Sequence, residues 1–326
     1  MTTSNTDRIL MTPLARRTRA YFSPVDRATS RPSIFDPGKH GAFPLDSPPL
    51  GWIDLGCLEN LRRTPGTRLN PVRGGPSGAP VALFRSQADA RVEFDFRDWG
   101  KLQMALAGGS QHMNVLAPQA EAAAVPSGGL AITAAPITNG STATEILLDS
   151  AALNSFAVGD LIVVDLDYQQ QTGYVGTGVA AAYVRDPADV QGDSDYIRRV
   201  SFNVARVQQK TANSLLLAQP LIGGTPSPGA AVQKVVAFVD REAGSFFQEW
   251  SALFVVENES GGRINFYYPR LQPASGTQET PLQVVAPVEA FALHASFTAL
   301  PYRDANDGEE ILCYRSYFPA SSAALY

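Results

Sequence analysis

A mainly β protein is what the sequence predicts: a β-sandwich or barrel with one short flanking helix, plus a smaller all-β unit inserted into it. Three observations predict it. In RVEFDFR, Arg91 to Arg97, the apolar Val92, Phe94 and Phe96 alternate with charged residues, the period of a strand with one dry and one wet face. Glycine and proline occupy 27 and 24 of 326 positions, a composition rich in turns and hostile to long helices. Valine and isoleucine crowd into short runs opened by turn residues, as in VGDLIVVD from Val158 to Asp165.

Taken in order, residues 1–50 read as an extended arm. Arg8, Arg16, Arg17, Arg19, Arg27 and Arg31 make it basic, and Pro13, Pro24, Pro32, Pro37, Pro44, Pro48 and Pro49 break regular elements. It holds more apolar residues than a linker needs, Tyr21, Phe22, Phe35 and Phe43 among them. Two readings stand: a solvated tail, or a strap that orders on a neighbouring subunit. The main β domain spans 51–116 and 232–318. Strands are predicted near Trp52 to Glu59 and Arg68 to Arg73, then a turn at GGPSGAP, Gly74 to Pro80. Val81 to Phe84 and Arg91 to Arg97 are expected to pair across Gln87 to Ala90. Asp98 is placed to cap a helix on which Trp99, Leu102, Gln103 and Leu106 share a face, and Gly108-Gly109 can end it left-handed.

Residues 117–231 form the predicted all-β insert. Its strands are expected at Glu145 to Leu148, Phe156 to Asp167, Arg198 to Gln208 and Ser214 to Leu217, with a long excursion at Gln169 to Tyr196. Back in the main domain, Val235 to Asp240 is a buried strand. Phe246 to Glu257 fits helix and strand alike; the turn ENESGG and the alternation of Ile264, Phe266 and Tyr268 beyond it decide for a hairpin. Leu282 to Leu300 and Ile311 to Tyr317 follow, separated by the turn DANDGEE, and 319–326 is a short tail.

No catalytic motif stands out. HExxH, GxSxG and the P-loop are all missing from the chain, and His40, His112 and His294 lie far apart. His294 sits in an apolar run and reads as a satisfied core histidine. Cys57 and Cys313 are too few for a disulfide scaffold or a four-sulfur metal site and read as half-buried thiols. Asp186, Asp189, Asp193 and Asp195, like Asp304, Asp307, Glu309 and Glu310, lack the spacing of a calcium loop. No cofactor, metal or catalytic residue is therefore expected. The chain shows no signal-peptide pattern or membrane-length apolar run, which leads us to expect synthesis and folding in the cytosol and no membrane partner. A net charge of -5 argues against gripping phosphates by counterion release, and suits passage of a polyanion better than binding.

Three phrases carry a family resemblance: WIDLGCLENLRRTP (Trp52 to Pro65), RVEFDFRDWGKLQMALAGGSQHMNVL (Arg91 to Leu116) and REAGSFFQEWSALFVVENESGGRINFYYPRL (Arg241 to Leu271). Through them the chain resembles the major tail tube protein of long-tailed bacteriophages over roughly Gly51 to Pro118 and Val232 to Phe318. The resemblance implies a sandwich flanked by a short helix, self-assembly into hexameric rings, and stacking of those rings into a virion tube that conducts DNA without specific binding. Other tail proteins would be its further partners. It also implies a long loop reaching the next ring, for which Leu61 to Gly78 with Arg62, Arg63, Arg68 and Arg73 is the nearest equivalent; an ordinary solvated basic hairpin is the other reading of that segment. Glu93 and Asp95 become lumen-facing candidates. Trp52, Trp99, Phe246, Phe247, Trp250, Tyr267 and Tyr268 become candidates for core or interface. Two alternatives remain: a tail terminator or baseplate ring protein, and a β-sandwich carbohydrate-binding or hydrolytic module using Asp165/Asp167 or Asp304/Asp307.

Overall fold

The computed structural model describes residues 15–25, 31–76, 78–98, 100–117, 134–166, 201–241, 249–259, 261–274 and 293–320. Strand accounts for 55% of them and helix for 7%, so the protein is mainly β. In chain order the elements are β1 (Ala15–Pro24), α1 (Pro37–His40), β2 (Ile53–Gly74), β3 (Ala79–Phe96), α2 (Lys101–Gly108), β4 (Gln111–Leu116), β5 (Ala135–Pro136), β6 (Glu145–Leu147), α3 (Ser150–Leu153), β7 (Leu161–Leu166) and β8 (Val204–Lys210). Then come β9 (Ser214–Leu217), β10 (Ala230–Arg241), β11 (Trp250–Asn258), β12 (Arg263–Pro273), β13 (Leu293–Ala299), β14 (Tyr302–Arg303), β15 (Glu310–Ile311) and β16 (Tyr314–Phe318).

The first sheet runs β11-β1-β2-β3-β13-β12-β16, and β11 also pairs with β12, which closes six of its strands on themselves. β12 serves two neighbours along one edge: Leu271 to Pro273 meet β13, while Arg263 to Tyr267 meet β16. Alternation fills the interior. Phe22, Val92, Phe94, Phe96, Phe254, Tyr268 and Phe297 point inward from five strands, and Leu102 and Leu106 of α2 join the same core. The predicted hairpin is present, with Phe254 opposite Phe266 and Ala252 opposite Tyr268. On the outer side of β1, β11 and β12, Tyr21, Leu253, Val255 and Tyr267 would be bare but for Phe35, Phe43, Leu45 and Trp52, which cover them. Burial of this second apolar face is what orders the segment from Phe35 to Trp52.

Several local expectations change. Of the arm expected over 1–50, the part from Ala15 is a strand of the sheet, seated between β11 and β2, and the part after it packs on its own subunit. Val81 to Phe84 and Arg91 to Arg97 do not pair with each other; both belong to β3, whose partner is β2 and whose turn is the glycine-rich segment at Gly75 and Gly78. Gly100 rather than Asp98 stands at the start of α2, and no side chain caps it. Asp98 instead lies over Gly56, where a Cβ would come within 3.1 Å of its carboxylate. The other helix end is as expected: Gly109 is left-handed at φ 61 and its N–H reaches the carbonyls of Ala105 and Leu106.

The second sheet runs β4-β10-β7-β8-β9-β6 around Ile146, Ile162, Val164, Val207, Leu215 and Val232. Both β4 and β10 belong to it, so this unit begins before 117 and ends after 231. Lys234 pairs with Asp160 at 2.7 Å and anchors the turn into β7.

Three core tyrosines predict alkaline behaviour. The Tyr21 hydroxyl donates to the Leu45 carbonyl, that of Tyr267 to the Ser33 carbonyl, and that of Tyr268 accepts from Arg63. Burial raises all three above the ordinary 10.0. Unfolded tyrosines lose their protons at that pH and folded ones do not. The folded state therefore binds more protons there, and stability present below about pH 10 falls as pH rises further. We expect the urea midpoint to drop steadily above about pH 10, with phenolate absorbance appearing together with unfolding. Phenolate absorbance that rises ahead of unfolding would contradict this.

Candidate assembly surface

β2 and β3, of 22 and 18 residues, are far longer than their neighbours. β1 touches β2 only at Ile53, Asp54 and Cys57, and β13 reaches along β3 no further than Arg91. Beyond those points, Thr64 to Gly74 and Ala79 to Ala90 pair as strands only with each other among the described residues. The result is a two-stranded arm about 35 Å long at the ordinary rise per residue. Gly75 and Gly78, at φ 74 and 61, close its tip, and Arg73 Nη1 donates to the Gly78 carbonyl at 2.9 Å.

The arm exposes apolar side chains to water. Leu69, Val72, Val81 and Leu83 are 52%, 44%, 68% and 62% exposed. Pairing of Pro71 with Leu83 puts Leu69 and Leu83 on one face, and pairing of Val72 with Ala82 puts Val72 on the other. Val81 sits against Gly74 at a bulge on that second side. An isolated two-stranded ribbon is marginal in water, and this one carries exposed apolar groups on both faces.

The predicted site residues distribute as follows. Leu61 to Gly78 is strand and tip rather than a loop. Arg62, Arg68 and Arg73 are exposed along it, whereas Arg63 is taken into the barrel. Its Nε donates to the Tyr268 hydroxyl at 2.6 Å, and its guanidinium lies 4.0 Å from the centre of the Phe266 ring. A β-bulge between Glu59 and Arg62 turns it inward. Arg63→Ala is expected to cost about 1–3 kcal/mol in urea unfolding, since Tyr268 loses a charged partner. Arg62→Ala is expected to stay within about 0.5 kcal/mol, and equal costs would contradict the assignment.

Glu93 and Asp95 lie on the outer face of the barrel, each already engaged. Arg91 Nε pairs with Glu93 at 2.9 Å; His294 Nδ1 meets Asp95 at 2.7 Å, and Asn60 donates to its other oxygen at 2.6 Å. His294 is thus satisfied, though half-buried on the wet side of β13 rather than in the core. Trp52, Trp250, Tyr267 and Tyr268 are buried core residues, while Trp99, Phe246 and Phe247 lie outside the described residues.

The other groups weighed from the sequence are placed as follows. Asp165 is buried in β7; Asp167 and the run from Asp186 to Asp195 lie outside the described residues. Asp304 accepts from Tyr314 and Asn306, which lowers its pKa, and with Asp307 it serves the turn before β15. Cys57 and Cys313 are free and half-buried. Among the described residues no group of three metal-ligating side chains occurs, and no helix is long and apolar enough to cross a membrane. Sequence reading missed Leu69, Val72, Val81 and Leu83, although their alternation with small and polar residues was a usable signal. Compared with known proteins, the chain matches no family model and no curated protein.

Proposed function

We propose that this protein is a structural subunit that assembles with copies of itself into rings, stacked into a phage tail tube that conducts DNA. The arm carries this reading. A ribbon that outruns its own barrel and exposes leucine and valine on both faces has a use only when neighbours cover it, and copies of the same chain are the neighbours always present. The sequence resemblance supplies the kind of assembly, and the net charge of -5 suits a wall past which a polyanion slides. Carbohydrate binding has less behind it, because four of the rings named for a sugar platform, Trp52, Trp250, Tyr267 and Tyr268, are buried. Negative-stain microscopy of the purified chain over rising concentration tests the reading. Rings that stack into tubes support it, rings that never stack point to a terminator or baseplate component, and a monomer under all conditions overturns it.

A further inference from the structure

The chain has four lysines. Lys39 faces Asp36, Lys234 pairs with Asp160, and Lys210 donates to the Phe156 carbonyl. Lys101, at the start of α2, has none of these. Its Nζ lies 3.7 Å from the centre of the Phe238 ring and 3.4 Å from Oδ1 of Asn114 on β4. Phe238 stands directly opposite Asn114 in the β4–β10 ladder, so the three meet on one face. Asn114 is buried and oriented: its Nδ2 donates to the Ser201 carbonyl at 2.7 Å, which leaves its carbonyl turned toward the amine. His112, two residues earlier on the same face, is buried and stacked on Phe202 at 4.9 Å. Asp240, opposite His112, is engaged by the Ser110 hydroxyl at 2.6 Å.

A primary amine thus donates to a buried carboxamide under the Phe238 ring, and an amine that loses its charge in that position can exchange with the amide nitrogen. We propose that Lys101 and Asn114 join in an intramolecular isopeptide bond, stapling α2 to β4 and hence the barrel to the second sheet. The Nζ lone pair adds to Cγ of Asn114, the Cγ–Nζ bond forms, and the Cγ–Nδ2 bond breaks. One Nζ proton passes to Nδ2, which leaves as ammonia; the other stays on the new amide. Nothing else is consumed. Burial favours the attack: it lowers the Lys101 pKa to about 7, so the nucleophilic amine is populated near neutrality. Burial first, and the Lys101 charge second, lower His112 to about 3, so the imidazole stays neutral and places no second positive charge beside the amine. The staple does not depend on the assembly reading.

Intact mass of the unfolded wild-type chain reads the outcome, with a loss of about 17 Da, one ammonia, expected. Trypsin should then fail to cut after Lys101, leaving Asp98 to Arg185 in one piece. Asn114→Ala should restore cleavage and remove the loss. Wild-type linkage should run about tenfold faster at pH 8 than at pH 6. Full mass in folded protein held at pH 8, with clean cleavage after Lys101, would overturn the proposal. So would a loss of ammonia mapped to a cyclic imide at Asn139-Gly140.

Discussion

Replacing Leu69 and Leu83 together by aspartate is expected to abolish rings and tubes while leaving the subunit folded. The two leucines share one face of the arm, beyond the last residue that pairs with a third strand, and both are more than half exposed. Within the subunit they have little to lose, so each substitution should change stability by no more than about 0.5 kcal/mol. Against a neighbour the same change buries two charges where apolar groups belonged, at several kcal/mol for each unpaired carboxylate. The expectation is a fall in polymer yield of at least about 100-fold, since each lost 1.4 kcal/mol of contact is tenfold in association. Sedimentation velocity beside circular dichroism checks it. Polymers formed as readily by the double variant would remove the arm from the interface, whatever the wild type builds.

The largest loss of stability is expected from Phe94→Ala. Phe94 is fully buried at the centre of the barrel, stacked on Phe297 at 5.7 Å and met edge-on by Phe22, Phe96 and Phe254. Removing the ring deletes apolar contact and leaves a cavity that closed strands cannot collapse around, at about 3–5 kcal/mol. Domains have only about 5–15 kcal/mol in total, so the variant should sit near its threshold, with a lower urea midpoint and unchanged slope. Phe94→Leu should recover more than half of the loss. A cost below about 1 kcal/mol would mean that the barrel interior is not packed as described.

Much of the fold was legible because it rests on local chemistry. Val92, Phe94 and Phe96 declared a one-sided strand, ENESGG declared a hairpin, and Gly109 declared the end of a helix. Pairing was harder. Arg91 to Arg97 was matched to Val81 to Phe84 by nearness in sequence, whereas both lie on β3, because nothing in Gln87 to Ala90 reads as strand until β2 is there to pair with it. The arm from Ala15 to Pro24 looked irregular for its prolines, yet Pro24 only ends a strand whose neighbours come from Trp250 to Asn258 and Ile53 to Cys57.

By itself, then, the sequence determined the β class, the dry face of strands such as Arg91 to Phe96 and the want of a catalytic motif, since those depend on period and residue type. Only the tertiary structure decided that six strands close, that Arg63 turns inward while Arg62 stays in water, and that Lys101 comes to rest against Asn114. Those are matters of register and partner between segments far apart in the chain, and side-chain period carries no record of which strand lies beside which.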